Sequence, residues 1–213
     1  MSIQINDNEL QIRSTAPLWM PHQWEAFNGD TFIQAQFQKL QKEFNIVNAV
    51  ETGTCFGSST IWMASNFAKV YTCESNQNFY EIASARFKNY GISTIVNGLI
   101  DSYVFLKYHI PQNCGNTIFF LDAHESGKYL PLILELEAIA KLDIDKKIIA
   151  IHDCKVPNEP NLGYDSYEGS DICYEFIKEK LDAIYTDGYE YYYNSDETST
   201  EIKRGIIYIK PKF

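Results

Sequence analysis

The sequence predicts an α/β protein in which helices cover both faces of a mostly parallel sheet. From residue 46 onward, short apolar runs rich in β-branched and aromatic residues alternate with segments of helical periodicity. The last two apolar runs are separated only by a polar, turn-forming stretch. A chain of 213 residues is long enough to bury such a core in a single domain.

Seven strands and five helices are expected from this alternation. We expect the strands at residues 46–51, 70–74, 93–97, 117–122, 147–152, 189–193 and 205–210. We expect the intervening helices at residues 58–68, 77–89, 101–108, 128–141 and 170–181. The first five strands each precede a helix, so right-handed crossovers make them parallel. The last two strands follow each other as a hairpin, so one of them runs antiparallel to the rest.

The residues before the first strand predict a cap on this core. Phe32, Ile33, Phe37, Leu40 and Phe44 lie mostly three to four residues apart, which favours an amphipathic helix over about residues 30–44. We expect residues 1–45 to form a helical and aromatic cap and residues 46–213 the core. No internal repeat or Gly/Ser-rich linker divides the sequence, which favours one domain over residues 1–213.

The composition excludes several classes of partner. The chain has 18 Lys and Arg against 28 Asp and Glu, a formal net charge of -10. Such a surface repels phosphate backbones and anionic lipid headgroups, so neither nucleic acid nor a membrane is expected as a partner. The sequence has no apolar run of about 20 residues and no basic region followed by an apolar stretch at its start, so we expect a cytoplasmic protein. The five cysteines are scattered singly, which favours free thiols.

A glycine-rich turn follows the first expected strand. The strand ends in Glu51, and the turn continues with Thr52, Gly53, Thr54, Cys55, Phe56, Gly57, Ser58 and Ser59. Gly53 and Gly57 allow a sharp turn and close approach of a ligand, and the helix that follows offers free N–H groups. The spacing and the preceding acid differ from a dinucleotide fingerprint. Glu51 would repel a pyrophosphate but attract a cationic amino-acid ligand.

A second acidic residue, Glu74, ends the next strand. A carboxylate at that position can accept both hydroxyls of a ribose lying across the switch point of the sheet. Either feature alone is weak, because a glutamate at a strand end is often a solvated charge. The glycine turn and the acid together, in this order, predict a site for a nucleoside-containing ligand.

These residues resemble motif I and the ribose-binding acid of class I S-adenosylmethionine-dependent methyltransferases. The resemblance extends from about residue 46 to the end of the chain. It implies a Rossmann-like sheet with strand order 3-2-1-4-5-7-6, the last strand antiparallel, and S-adenosylmethionine as cofactor. It also implies that the turn over residues 51–58, with Ser59 beside it, holds the methionine part and that Glu74 holds the ribose. Asn97 and Gly98, expected just after the third strand, would border the adenine, although Asn97 also fits an ordinary turn.

Two further strand ends carry polar side chains. Asp122 and His124 follow the fourth strand, and His152 and Asp153 end the fifth. Because ligands bind outside the carboxyl ends of parallel strands at the switch point, we expect these side chains to meet beside the methyl donor. Asp122, His152 and Asp153 could together supply ligands to a divalent cation.

This second cluster resembles the small-molecule O-methyltransferases of the catechol type, in which acidic residues at these two strand ends hold Mg²⁺ and a nearby lysine acts as base. Lys128 is the matching lysine here. The sequence departs from that pattern, because a His-Asp pair stands where Asp-Asn is usual and the segment before the lysine is one residue longer. A histidine suits Mn²⁺, Fe²⁺ or Zn²⁺ better than Mg²⁺. The alternative is that Asp122 orients the donor and His152 only caps its strand.

The sequence therefore predicts an enzyme that methylates a hydroxyl of a small molecule, a sugar or a phenol. The acceptor hydroxyl must lose a proton near neutral pH. Either a metal lowers the pKa of the hydroxyl or a base removes the proton, and the candidate bases are His124, His152 and Lys128. An NAD-dependent oxidoreductase and a non-catalytic subunit that binds S-adenosylmethionine are the rival hypotheses. Residues 17–24 and 156–171 are expected to shape acceptor specificity, the alternative for the first segment being that its two tryptophans only anchor the N-terminus on the core. A homodimer is compatible with the sequence, which does not decide the oligomeric state.

Overall fold

A seven-stranded sheet forms the centre of the protein in a computed structural model that describes residues 6–15, 24–123, 130–198 and 202–212. The strands are β1 (Asn48–Thr52), β2 (Lys69–Glu74), β3 (Ile95–Leu99), β4 (Thr117–Leu121), β5 (Lys147–His152), β6 (Tyr189–Tyr193) and β7 (Ile206–Pro211). Their order is β3-β2-β1-β4-β5-β7-β6. β1 to β5 are parallel, and β7 is antiparallel to both β5 and β6. The predicted Rossmann-like fold and its antiparallel last strand are confirmed.

Seven helices surround this sheet in the described part of the chain. They are α1 (Asp7–Ser14), α2 (Thr31–Phe44), α3 (Ser58–Ala64), α4 (Gln77–Asn89), α5 (Ser102–Tyr108), α6 (Leu132–Ala140) and α7 (Tyr174–Ile184). The predicted helix over residues 30–44 corresponds to α2, which Asp30 caps by accepting hydrogen bonds from the first turn. Phe32 lies off its buried stripe and is exposed. α1 was not predicted.

The sheet residues alternate between two hydrophobic cores, as the two-residue period of a strand requires. Val50, Phe119 and Ile149 face the core that α5, α6 and α7 complete. Their neighbours Ala49 and Ile118 face the second core, which α2 and α3 complete. Strands buried on both faces explain why the sequence shows continuous apolar runs there.

The start of α7 is later than predicted because a short hairpin takes its place. Ser166–Tyr167 and Ser170–Asp171 pair antiparallel, and the two residues between them have positive φ. That is the geometry of a two-residue hairpin turn. The predicted helix over residues 170–181 therefore runs from Tyr174 to Ile184.

The strand register aligns the carboxyl ends of the central strands. Thr52 of β1 pairs with Cys73 of β2 and with Leu121 of β4, and Leu121 pairs with Ile151 of β5. Polar residues that end or follow these strands therefore share one edge of the sheet. Among the described residues, no helix combines the length and apolar character needed to cross a membrane.

Candidate functional site

A cavity of about 590 Å³ opens at this edge of the sheet. Its lining includes most of the residues that the sequence predicted to bind the cofactor: Glu51, Gly53, Thr54, Ser58, Ser59, Glu74 and Asp122. His152 and Asp153 line the same cavity. The glycine turn and the polar cluster therefore line the same cavity, as expected from the alignment of the carboxyl ends of parallel strands.

The two glycines of the turn have no room for a side chain. Gly53 has φ +85°, and a Cβ there would lie 2.5 Å from the backbone oxygen of Asp122. Gly57 has φ +74° at the start of α3, and a Cβ there would lie 2.5 Å from the ring of Phe87 on α4. Gly57 thus packs the turn against α4, while Gly53 brings it close to the end of β4.

Glu51 is buried beneath the turn, with 1% of its surface exposed. Thr60 and Thr72 donate hydrogen bonds to its Oε2 atom, the latter at 2.8 Å. Burial raises the pKa of Glu51 to about 8, although these two hydroxyls oppose the shift. The carboxyl group is therefore largely protonated at neutral pH until a cation approaches it. Neither threonine was recognised from the sequence, because their proximity depends on how α3 and β2 pack.

Glu74 connects the end of β2 to the glycine turn. Its Oε2 atom accepts a hydrogen bond from the backbone N–H of Cys55 at 2.8 Å. Its Oε1 atom accepts one from the backbone N–H of Asn76 at 2.9 Å. These two bonds hold the carboxylate at the cavity wall.

The expected position of Asn97 and Gly98 after the third strand is wrong, because β3 continues to Leu99. Asn97 donates a hydrogen bond to the Ser84 hydroxyl on α4, and Gly98 lies against Phe105 of α5. The cavity wall at this point consists instead of Ile100, Asp101 and Ser102. The strand has the predicted length but lies two residues later in the sequence, and this shift moves the turn.

Asp122, His152 and Asp153 form the predicted cluster. Their ligand-type atoms all lie within 4.8 Å of one another. Nδ1 of His152 is 3.0 Å from Oδ1 of Asp122 and 3.1 Å from Oδ1 of Asp153. Burial alone would lower the pKa of His152, but the two carboxylates more than offset it and raise that pKa well above its usual range. The two carboxylates therefore favour a positively charged imidazole at His152.

An arginine that the sequence did not single out completes this cluster. Nε of Arg204 donates to Oδ1 of Asp153, and another nitrogen of the same guanidinium donates to Asp165. Burial opposes ionisation of Asp153, but His152 and Arg204 hold the pKa of its carboxyl well below the usual range. Arg204 precedes β7 in a polar stretch, and no spacing rule relates it to β5. Only the antiparallel pairing of β5 and β7 brings the two together.

Of the two segments expected to shape specificity, only residues 156–171 contribute a described residue to the cavity lining. Glu25, Phe27 and Asn28 line it next to the first segment, and Asp165 lines it from the second. Phe27 packs against Phe120 of β4, with ring centroids 5.2 Å apart. Residues 16–23, His124 and Lys128 lie outside the described residues, so the proposed catalytic roles of His124 and Lys128 stay predictions.

A second buried acid lies behind the cavity wall. Glu135 of α6 has no exposed surface, and the hydroxyls of Ser102 and Thr52 face its carboxyl group. Neither of its oxygens has a hydrogen-bond partner among the described residues, so these hydroxyls lie near it without forming a bond. Burial raises the pKa of Glu135 to about 7.

The ligand-free protein is therefore expected to lose stability as the pH rises from about 5 to about 8. In that interval the folded chain retains protons on Glu51 and Glu135 that the unfolded chain has already released, because the ordinary pKa of this side chain is 4.5. Thermal unfolding measured across the interval should show a falling midpoint. Glu135→Gln should reduce the fall of the unfolding midpoint with pH. Glu190→Gln, which replaces an exposed carboxylate, should leave that fall unchanged. A midpoint that rises with pH would contradict the assignment.

Comparison with solved structures identifies the architecture. The O-methyltransferase from Bacillus cereus in complex with S-adenosylhomocysteine superposes with a TM-score of 0.61 at 16% identity, over 99% of this chain and 93% of that one. The O-methyltransferase TomG from Streptomyces achromogenes, in complex with S-adenosylmethionine and involved in tomaymycin synthesis, gives 0.59 at 12% identity, over 99% and 92%. The chain has the class I methyltransferase fold.

This methyltransferase fold also occurs in proteins with other acceptors. An rRNA methylase from Streptococcus thermophilus superposes with a TM-score of 0.56 at 16% identity, over 85% of this chain and 96% of that one. The sequence itself matches no family model and no curated protein. At these identities the likeness concerns the fold, and the function must be argued from the site.

Proposed function

We propose that this protein is an S-adenosylmethionine-dependent methyltransferase that methylates a hydroxyl group of a small molecule. The observation that carries the proposal is the convergence of Glu51, the glycine turn and Glu74 on one cavity, with the Asp122–His152–Asp153 cluster beside them. The first group fits a cationic amino acid joined to a ribose. The second group fits the activation of an acceptor.

In this proposal the cofactor lies across the carboxyl ends of β1 and β2. The turn over residues 51–58 binds the methionine part, whose ammonium group would favour the ionised form of Glu51, so that the proton of Glu51 is released to solvent. Glu74 accepts the ribose hydroxyls, and Asp122 lies at the donor. The wall formed by residues 100–102 borders the adenine, in place of Asn97, which bonds to α4, and Gly98, which lies against α5.

A small acceptor is favoured over RNA by the charge around the cavity. Among the described residues that line it, Arg204 is the sole Lys or Arg, and it is already bonded to Asp153 and Asp165. The chain carries a net charge of -10, so a phosphate backbone would be repelled rather than attracted.

Methyl transfer requires the acceptor oxygen to lie in line with the methyl group and to lose its proton. Asp122, His152 and Asp153 would hold a divalent cation, since they offer two carboxylates and one imidazole nitrogen whose ligand-type atoms all lie within 4.8 Å of one another. Such a cation would lower the pKa of the acceptor hydroxyl. Arg204 would orient Asp153, and His124 or Lys128 would act as base if the site works without metal.

Calorimetry with S-adenosylmethionine and with NAD tests the cofactor. We expect binding of the first and none of the second, because the turn lacks the third glycine of a dinucleotide site and a pyrophosphate, unlike an ammonium group, cannot favour the ionised form of the buried Glu51. Binding of NAD alone would establish the oxidoreductase hypothesis instead. A protein that binds S-adenosylmethionine but transfers no methyl group to any hydroxylated acceptor would be the non-catalytic subunit.

Removal of divalent cations is expected to stop methyl transfer without displacing the cofactor. EDTA should abolish turnover, and Mn²⁺ or Mg²⁺ should restore it. Asp153→Ala should reproduce the loss, whereas Asp171→Ala should not, because Asp171 pairs with Lys155 away from the cavity. If EDTA leaves the rate of methyl transfer unchanged while His124→Ala abolishes methyl transfer, the reaction uses a histidine base and no metal.

A further inference from the structure

The N-terminal helix α1 is attached to α4 by a buried ion pair. Oε1 of Glu9 accepts a hydrogen bond from Nε of Arg86 at 2.8 Å, and the two side chains are 0% and 3% exposed. Glu9 is the only buried residue of α1, and Leu10 is more than half exposed. The docking of α1 therefore depends on this pair rather than on an apolar face.

The same arginine also contacts the glycine turn. Nη1 of Arg86 donates to the backbone oxygen of Phe56 and, at 2.8 Å, to the hydroxyl of Ser58. Phe56 and Ser58 both line the cavity. One guanidinium group thus bonds the turn on one side and α1 on the other.

An aromatic side chain strengthens the connection. The ring of Trp24 lies 4.9 Å from the guanidinium of Arg86 and 4.8 Å from that of Arg13. It also lies 4.6 Å from the ring of Phe56. Arg13 in turn donates to Oε1 of Glu9 at 3.2 Å. Arg86 is therefore enclosed by α1, by Trp24 and by the turn itself.

Loss of Glu9 should consequently disturb more than the helix that carries it. A buried guanidinium without its counter-ion is costly, so Arg86 would move toward solvent and leave the turn. The remaining contacts of α1 with α4, from Asn6 and Asn8 to Asn89, are exposed hydrogen bonds that contribute little.

We propose that Arg86 is a positioning residue for the cofactor-binding turn and that Glu9, through Arg86, couples the docking of α1 to cofactor binding. The inference rests on the proposed binding of S-adenosylmethionine, but on neither the acceptor nor a metal. Coupling of this kind is reciprocal, so cofactor binding must also stabilise the docked position of α1.

Calorimetry with S-adenosylhomocysteine on the 213-residue chain tests whether Glu9 and Arg86 contribute to cofactor binding. Glu9→Gln should weaken binding about tenfold, and Arg86→Lys, which keeps the charge but loses the planar fork, about tenfold or more. The matched control is Glu43→Gln, which removes a 2.8 Å ion pair with Lys210 between α2 and β7, outside the cavity lining. It should bind within twofold of wild type. Far-UV circular dichroism and the unfolding midpoint report whether each variant is folded.

Hydrogen exchange tests whether cofactor binding stabilises the docked position of α1, with the wild-type protein compared with Glu9→Gln. Saturating S-adenosylhomocysteine should slow amide exchange in α1, and in Glu9→Gln it should not. The proposal is overturned if both variants bind within twofold of wild type, or if the ligand leaves exchange in α1 unchanged. A wild-type protein that binds no S-adenosylhomocysteine would instead refute the proposed cofactor, and the coupling with it. If Arg86→Lys does not fold, the affinity of Glu9→Gln and the hydrogen exchange of the wild-type protein still test the proposal.

Discussion

Replacing Glu74 with alanine is expected to weaken the binding of S-adenosylmethionine by at least about 100-fold. Two ribose hydroxyls donating to one carboxylate contribute about 1.5 to 3 kcal/mol each, and every 1.4 kcal/mol is about a factor of ten in affinity. The substitution also removes the acceptor for the N–H of Cys55, which positions the turn. Both effects act on the ligand-binding surface and leave the apolar cores intact.

The control for this experiment is Glu81→Ala, at an exposed glutamate on α4 that bonds only to Gln77 of its own helix. Calorimetry should give a wild-type dissociation constant for the control and a strongly raised one for Glu74→Ala. Glu74→Gln should fall between them, because the amide keeps one acceptor oxygen and loses the charge. An unchanged dissociation constant in Glu74→Ala would show that the ribose lies elsewhere.

Gly57→Val is expected to abolish measurable cofactor binding. A β-branched residue is strained at φ +74°, and its Cβ would lie 2.5 Å from the Phe87 ring and 3.2 Å from the Cβ of Ala83. The first contact is far shorter than van der Waals packing allows, so the turn must move away from α4. The hydrogen bond from the N–H of Gly57 to the oxygen of Thr54, which closes the turn, would be lost with it.

Gly91→Val separates strain from crowding. Gly91 also has positive φ, +63°, but no atom lies within 4 Å of a Cβ placed there. It should therefore lower the unfolding midpoint while binding the cofactor normally. If Gly57→Val bound S-adenosylmethionine as tightly as Gly91→Val, the turn would not be the cofactor site, whatever the stability of the two variants.

The sequence by itself determined the architecture and the main candidates for the site. Apolar runs identify strands that are buried on both faces, and helical periodicity identifies the helices between them. The polar residues that end those runs, Glu51, Glu74, Asp122, His152 and Asp153, line one cavity. This was predictable because parallel strands joined by right-handed crossovers align their carboxyl ends, a property that depends on local pattern and chain direction alone.

Only the tertiary structure decided which other residues complete that cavity. Arg204 reaches Asp153 through the pairing of β7 with β5, and Arg86 joins Glu9 to the turn across 77 positions of sequence. Asn97 does not line the cavity because β3 lies two residues later than its apolar pattern suggests. The burial that raises the pKa of Glu51 and of Glu135 likewise comes from packing of distant segments. Contacts of this kind depend on which faces of the helices and strands pack together, and they cannot be predicted from the periodicity of the sequence.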